Sequence, residues 1–500
     1  MSIIPKSKLP VILFKKLGKY IGISSASGDF YDISPEAFDA LQELNRQLSL
    51  LDSYSEKVIQ TIATKLSIPS DIIALFPLCN DETMIHSELG IEASLTDITL
   101  NLTSECNLKC VYCWNDQGRY SNPEFKNEPF RQYSYTPKDM SIEIARKAVD
   151  FLLANCGDEK QLVVDFYGGE PLKNLETLEQ TVIYCREKEK PTDKHFHFLL
   201  ATNGTLLTPS IAEKLISIGV QIAVSIDGPQ PVHDHNRPFP GGQGSFETIT
   251  HNLEGMPESI RKKLVGRTTV TPYYPDMTAL YDFLKSLGFE RIELFESEDA
   301  CHKITSEREK TFFNSEKDFA CLSEEYRRLA LKYIDEVTLG RLDYKKTFFN
   351  RFFKLMQRLY YNHEVSGGCP AAHGQVAVSA NGDIYPCTSF LGIEAFNFGN
   401  VETGMNSELF NRFLNHIKNR FQTCFQCDFF SVCRTTGSCL NINYYFNGDV
   451  NQPYSHSCEL FIEKLKLAMA SLSILTDKIP EKLEELFGND PVGRRGNELY

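Results

Sequence analysis

Residues Cys106–Trp114 read CNLKCVYCW and follow the alternating stretch DITLNLTSE, residues 97–105, so a predicted β-strand runs directly into a cysteine loop. An iron–sulfur cubane normally takes four thiolates. Three on one short loop can bind a [4Fe–4S] cluster and leave one iron open for a substrate or cofactor. A zinc knuckle, or three unrelated thiols, is the reading the triad alone leaves open.

Outward from this loop, residues 95–300 alternate strands with helices. The strand candidates are DITLNLT, QLVVDFY, FHFLLAT, QIAVSI, VGRTTVT and RIELFE. The clearest helix is MSIEIARKAVDFLLANC, with Ile142, Ala145, Ala148, Val149 and Leu152 on one face. Six such units predict a parallel α/β sheet, and apolar strands fit burial on both faces. Sites on barrel-like β/α folds lie at the C-terminal strand ends, and the unusual sequences fall there. The second strand ends in FYGGEP, with Gly168, Gly169 and Glu170 placed to approach a ligand and accept from an ammonium group. ATNGTLL and VSIDGP put Asn203, Ser225 and Asp227 at the next two strand ends, within reach of ribose hydroxyls, and Arg267 on the fifth strand can meet a carboxylate. Taken singly, TNG and DGP are also ordinary turn sequences.

The order C-x3-C-x2-C, GGEP, TNG and SIDGP resembles the radical S-adenosylmethionine (SAM) enzymes over some 200 residues. The resemblance implies a partial (β/α)6 barrel in which Cys106, Cys110 and Cys113 hold the SAM-binding cluster. Gly168, Gly169 and Glu170 would hold the methionine amino group, Arg267 its carboxylate, and Asn203, Ser225 and Asp227 the ribose. Tyr112 takes the family's aromatic position near adenine. His233 and Asp234, in PVHDHNRPFPGG, lie in a loop that either contacts substrate or forms a solvated turn with Asp234 paired to Arg237.

From residue 365 the chain turns cysteine- and glycine-rich. Cys424, Cys427, Cys433 and Cys458 make one set of four thiolates; Cys369, Cys387 and Cys439 make a set of three. A zinc ribbon is the structural rival. GDIYPC, ending at Cys387, resembles the SPASM domain, which implies two auxiliary [4Fe–4S] clusters beside the SAM-binding one. Two departures weaken the match at the first auxiliary site: Cys369 is followed by PAAHG, and the Cys433–Cys439 step is lengthened. His373 lies nearby and is read as a hydrogen-bonded loop histidine.

Residues 1–90 open with strands around VILF, KYIGIS and DFYDIS. Three helical patterns follow near Pro35–Leu48, Ser55–Leu66 and Ser70–Phe76, with Ser53 or Ser55 as cap of the second. This order predicts a winged-helix-like domain. Its 8 Lys+Arg against 11 Asp+Glu point to a peptide or protein partner rather than nucleic acid. The domains expected are therefore 1–90 for peptide recognition, 95–300 for the barrel, 301–364 as a helical bridge, and 365–475 for the auxiliary clusters. The last closes on an amphipathic helix from about Glu459 to Leu475, and the final dozen residues look frayed.

Five hundred residues exceed one core. The net charge of −14 disfavours nucleic acid and anionic membranes. Apolar runs too short for a bilayer, and no signal-peptide core at the start, place the chain in the cytoplasm. There, 15 cysteines argue for metal use; Cys79, Cys156, Cys185, Cys301 and Cys321 fall outside the motifs and are read as buried small hydrophobes.

The whole layout resembles the SPASM radical-SAM maturases of ribosomally made peptides. That likeness implies a precursor peptide held through residues 1–90, an electron donor such as flavodoxin or ferredoxin, and a thioether or carbon–carbon cross-link as product. An anaerobic sulfatase maturase is the alternative enzyme, although its aspartate after the YPC cysteine is Thr388 here. A metal-bearing peptide-binding scaffold without turnover is the alternative of another class.

Overall fold

The structure, a computed structural model, describes residues 4–5, 9, 11–25, 27, 29–51, 53–76, 94–113, 139–297, 312–313, 315–341, 350–361, 369–424, 427–433 and 439–487. Near the start, β1 (Ile4–Pro5) pairs antiparallel with β5 (Ser53–Tyr54), and β2 (Val11–Lys16), β3 (Lys19–Ser24) and β4 (Phe30–Asp32) form an antiparallel sheet in that order. Three helices accompany it: α1 (Pro35–Ser49), α2 (Glu56–Lys65) and α3 (Ser70–Ala74). Ser34 caps α1 by accepting from the Ala37 amide. Ser55 stands at the N-cap of α2, yet its hydroxyl makes no capping bond. Val11, Phe38, Leu41, Leu48, Ile59 and Phe76 close this unit's own core.

The larger sheet has the order β11–β10–β9–β8–β7–β6–β12–β13. Its parallel strands β6 (Asp97–Thr103), β7 (Gln161–Gly168), β8 (His195–Thr202), β9 (Val220–Ser225), β10 (Val265–Val270) and β11 (Arg291–Glu296) are the six expected. Alternation explains the burial: Ile98, Leu100, Leu162, Val164, Phe166, Phe196 and Phe198 enter the core under the helices, while Asp97, Thr99, Asp165, Arg267 and Glu293 turn to the other face, the lumen. The helix Ile142–Asn155 buries Ile144, Ala145, Ala148, Val149 and Leu152; Ile142, expected on that face, is only half-buried because it opens the helix after the cap Ser141.

Beyond β6 the sheet continues into the cysteine-rich segment. There β12 (Gln375–Val378) lies parallel to β6, from Gln375 opposite Asp97 to Val378 opposite Leu100, and β13 (Ile384–Tyr385) returns antiparallel. The closing helix runs Ser455–Lys478, longer than expected, and is not amphipathic in its centre. From Leu465 to Leu475 nearly every residue is buried, because Phe14, Ile21 and Ile23 of the N-terminal sheet cover Met469 and the helices Glu316–Thr338 and Asn350–Tyr360 pack along the remaining sides. Lys16 reaches Glu463 at 2.5 Å across this joint, and Lys19 bridges Asp32 and Asp477.

Cys156 and Cys185 are fully buried and Cys321 partly exposed. Cys79, Cys301, residues 77–90 and the final dozen residues lie outside the described residues. Among the described residues no helix is long and apolar enough to cross a membrane.

Candidate active site

The cysteine loop is held by the glycines that follow β7. Gly168 has φ +145°, and a Cβ on it would stand 2.4 Å from the Thr103 carbonyl oxygen; one on Gly169 would stand 2.2 Å from that of Glu105. With no side chain in the way, the Gly169 amide donates to Thr103 O and the Glu170 amide to Glu105 O, both at 2.8 Å. What the two glycines approach is the backbone of the cysteine loop itself.

Glu170 is wholly buried. Its carboxylate accepts from Thr202 Oγ1 at 2.7 Å, the Asn203 amide at 2.7 Å and the Leu172 amide at 3.1 Å. Burial pushes its pKa above the usual carboxylate range, against the pull of those three bonds. A carboxylate has about four acceptor positions, so roughly one is left for an ammonium donor. Asn203 continues the tie: its Nδ2 donates to Asn107 Oδ1 at 2.8 Å and lies 3.8 Å from the Cys106 sulfur. Thus β7 and β8 both grip the loop.

The opposite side is gripped from β9 and the loop after it. Asp227, 1% exposed, accepts from the Tyr112 hydroxyl and from the Thr269 amide at 3.0 Å, and pairs with Arg237 Nε at 3.1 Å. The Arg237 guanidinium lies 5.4 Å from the centre of the Tyr112 ring, and its Nη1 is 4.0 Å from the Cys110 sulfur. The backbone adds a further bond, from the Val111 amide to Asn236 O at 2.9 Å. Asp227 and Tyr112, expected at ribose and adenine, are therefore committed to each other and to Arg237. The buried carboxylate at this strand end needs a cation, and Arg237 supplies it. For the same reason Asp234 does not pair with Arg237; it accepts from the Phe246 amide at 2.9 Å. His233 is buried between the Asp227 amide and Ser245 Oγ, and burial lowers its pKa to about 4. This loop is a clamp rather than a solvated turn.

Ser225 ends β9 and stands in register with Arg267 on β10. Arg267 sits three residues before its strand's end and ties its Nε to Glu293 Oε2 at 3.0 Å. Arg237 is the functional candidate that sequence reasoning missed. Its signal was a lone arginine before Pro238, two residues past a histidine-rich turn, which alone names no partner.

Burial raises the Cys106 thiol to about 11 and pushes Cys110 higher, Arg237 pulling the latter back, and the three sulfurs lie within electrostatic reach of one another. These are thiols that a bound metal, not the protein alone, would ionise. Among the described residues no three His, Cys, Asp or Glu side chains are spaced to hold a single ion. A cubane puts each thiolate on a different iron and so asks for more widely spread sulfurs than a single ion does, and Cys106, Cys110 and Cys113 supply three thiols on one loop for it. In the cysteine-rich segment, Cys369, Cys387 and Cys439 come together around the buried Cys387. Cys424 and Cys427 are joined by a turn, Cys427 amide to Cys424 O at 2.9 Å; Cys433 ends a short helix and Cys458 lies in the first turn of the closing one. His373 belongs to the turn tied back to Pro370 O.

A parallel barrel sheet with a cysteine loop at its strand ends, continued into a second cysteine array, defines a radical SAM enzyme with a SPASM domain. Residues 100–284 match the Radical SAM superfamily and residues 369–428 match SPASM, an iron–sulfur cluster-binding domain. S-adenosylmethionine and [4Fe–4S] clusters are its cofactors. The chain is similar to an uncharacterized protein, MJ0907, of Methanocaldococcus jannaschii, 33% identical over 32% of this chain and 46% of that one. It is similar to the radical SAM cyclopropyl synthase TigE of Paramaledivibacter caminithermalis, 22% identical over 87% of this chain and 89% of the relative. A cysteine-type anaerobic sulfatase-maturating enzyme of Clostridium perfringens is 23% identical over 69% of this chain and 91% of its own. In fold, anSMEcpe with bound AdoMet and Cp18Cys peptide superposes at a TM-score of 0.61 with 20% identity, covering 77% of this chain and 100% of that chain.

Proposed function

We propose that this enzyme matures a ribosomally made precursor peptide, installing a thioether or carbon–carbon cross-link. Bound at the triad Cys106, Cys110 and Cys113, the cluster and SAM would supply a 5′-deoxyadenosyl radical able to abstract hydrogen from the peptide. Glu170 presents its remaining acceptor position to the cofactor's ammonium group. Arg237, fixed by Asp227, carries a buried positive charge beside Cys110, and Arg267 with Ser225 is the second cationic position available to a carboxylate. Gly168 and Gly169 set the loop's height above the sheet. Closing a cross-link between two C–H or S–H partners removes two hydrogens: one atom goes to the abstracting radical, and the other leaves as a proton plus an electron. The second array, Cys369, Cys387 and Cys439 with Cys424, Cys427, Cys433 and Cys458, would hold two auxiliary clusters, which could accept an electron on its way to a flavodoxin- or ferredoxin-like partner.

Coverage carries the choice of substrate class. The sulfatase-maturating relative leaves nearly a third of this chain unmatched, whereas the cyclopropyl synthase accounts for all but about an eighth. The additional N-terminal sheet and helices are the natural seat for a leader, which can add to a sheet edge as a further strand. Holding the leader there raises the core's effective concentration at the barrel mouth. The sulfatase-maturase reading also lacks its carboxylate at Thr388, which opens a 3-10 turn. Co-expression with the short reading frame beside the gene, followed by tandem mass spectrometry, tests the proposal. A product lighter by two hydrogens, with a fragmentation gap at the linked residues, is the expected result; a formylglycine residue, or an unmodified peptide, overturns it.

A further inference from the structure

Four cysteines of the second array flank the elements on which the N-terminal sheet rests, a coincidence that no step above employs. Cys424, Cys427 and Cys433 lie within ten residues; the Cys427 amide donates to Cys424 O at 2.9 Å and the Cys433 amide to Phe429 O at 2.7 Å. Between the last two cysteines, Phe429 and Val432 pack against the apolar group of Phe14, Ile21, Ile23 and Met469. The first three of that group belong to β2 and β3, and Met469 to the closing helix, whose first turn holds Cys458. The sheet thus has two supports, the helix and the loop 427–433.

Polar contacts repeat the arrangement. Glu463 meets Lys16 of β2 at 2.5 Å and Lys466 at 2.8 Å, and the Lys466 ammonium stands 5.5 Å from the centre of the Phe429 ring. Next along the helix, Lys464 pairs with Glu296 at the end of β11, and the Tyr326 hydroxyl donates to the same carboxylate at 2.6 Å. The side chains of Lys464 and Glu296 are 11% and 4% exposed, against 24% and 27% for Lys16 and Glu463, so solvent and salt screen the sheet's tie more than the barrel's. The helix is fastened firmly to the barrel; the sheet is the side held more weakly.

We propose that an iron–sulfur cluster on Cys424, Cys427, Cys433 and Cys458 is the fastening of the N-terminal unit: by joining the loop to the closing helix it builds the face on which β2 and β3 sit. A turn and a four-residue helix, Phe430–Cys433, have little of their own to hold Phe429 and Val432 in place, and metal ligation supplies that folding energy. The inference rests on the ligand set proposed above and, for what the docked unit captures, on the peptide-maturase reading. Under that reading, leader capture would depend on cluster loading as well as on the leader.

The test is differential acetylation. Iron-replete protein is treated anaerobically with N-hydroxysuccinimidyl acetate, and modification of Lys16 is read by tandem mass spectrometry against that of Lys15, its exposed neighbour, which bonds Tyr20 Oη within the sheet at 2.9 Å. Cys427→Ala, at the exposed ligand, should lower iron from about twelve to about eight per chain. It should raise the Lys16 to Lys15 ratio about three- to fivefold, the factor that losing one partly exposed ion pair supplies. Phe429→Ala, which keeps every ligand, should raise the ratio at full iron. Replacing Cys106, Cys110 and Cys113 together with Ala, which removes as much iron from the other site, should leave it unchanged. Cys458→Ala serves in place of Cys427→Ala if the latter does not fold. An unchanged ratio in the ligand variant or in Phe429→Ala, or an equal rise in the triad variant, would overturn the fastening; so would full iron in the ligand variant, because the set would then not bind the cluster. None of these measurements reads peptide modification, so the co-expression experiment is scored independently.

Discussion

Gly169→Ala is the most exacting perturbation of the loop that carries the chemistry. An added Cβ would meet the Glu105 carbonyl oxygen at 2.2 Å and its carbon at 2.4 Å, both backbone atoms that no side-chain rotation can withdraw. Ordinary contact begins at 3.4 Å, so Glu105 and the adjoining Cys106 must retreat by about 1 Å. The bonds Gly169 N to Thr103 O and Glu170 N to Glu105 O, each 2.8 Å, then stretch beyond hydrogen-bonding range. Each buried group left unsatisfied costs about 1–3 kcal/mol. A displacement of that size at reacting groups costs on the order of 100-fold in rate. The assay is chromatography of 5′-deoxyadenosine from reconstituted protein, with iron content and thermal midpoint measured in parallel. Gly340→Ala is the control: its φ is +65° with nothing within 4 Å, so it should bring about 1 kcal/mol of strain and no loss of SAM cleavage. Full iron and wild-type turnover in Gly169→Ala would refute the view that the glycine pair sets the loop.

Replacing Cys106, Cys110 and Cys113 together with Ala should abolish SAM cleavage while iron falls from about twelve to about eight per chain; a count near four in the unaltered protein, with stoichiometric zinc, would remove the auxiliary clusters. His233 titrates at about 4 in the folded protein against a reference of 6.5, so its neutral form favours folding. That contribution, about 3 kcal/mol, is complete above pH 6.5 and lost as pH falls towards 4. Urea midpoints at several pH values should show a flatter acid limb for His233→Gln than for wild type, and identical limbs would exclude the effect. Ile21→Ala, at a fully buried position facing Met469, should cost about 2–5 kcal/mol and speed proteolysis of the N-terminal segment; unchanged cleavage would mean the joint is not held there.

Strands β6 to β11 were legible because parallel strands buried on both faces read as apolar runs of the right length. The same runs concealed the lumen. Asp165 in QLVVDFY and Glu293 in RIELFE are single charges within hydrophobic segments, and only the alternation of a folded strand shows that they meet Arg267. Cysteine spacing marked the loop, and GGEP marked its neighbour, since both are local in sequence. Arg237's partner was not legible: Asp234 is three residues away and Asp227 ten, and sequence distance favoured the wrong acid until burial selected the strand end. Pairing of β12 with β6 spans nearly 280 residues and leaves no trace in local pattern.

That pairing bears on how such proteins can be recombined. A segment joined only by a linker can be exchanged as a cassette, but the cysteine-rich segment here is stitched into the barrel by a four-residue ladder. Shifting β12 by one residue would turn Val376 and Val378, both wholly buried, to the opposite face. A chimera that borrows this segment from a relative must therefore bring a strand in matching phase, or borrow β6 with it. Lineages that trade one domain for another would be expected to cut elsewhere, in the stretch before residue 94, which no strand ladder crosses among the described residues.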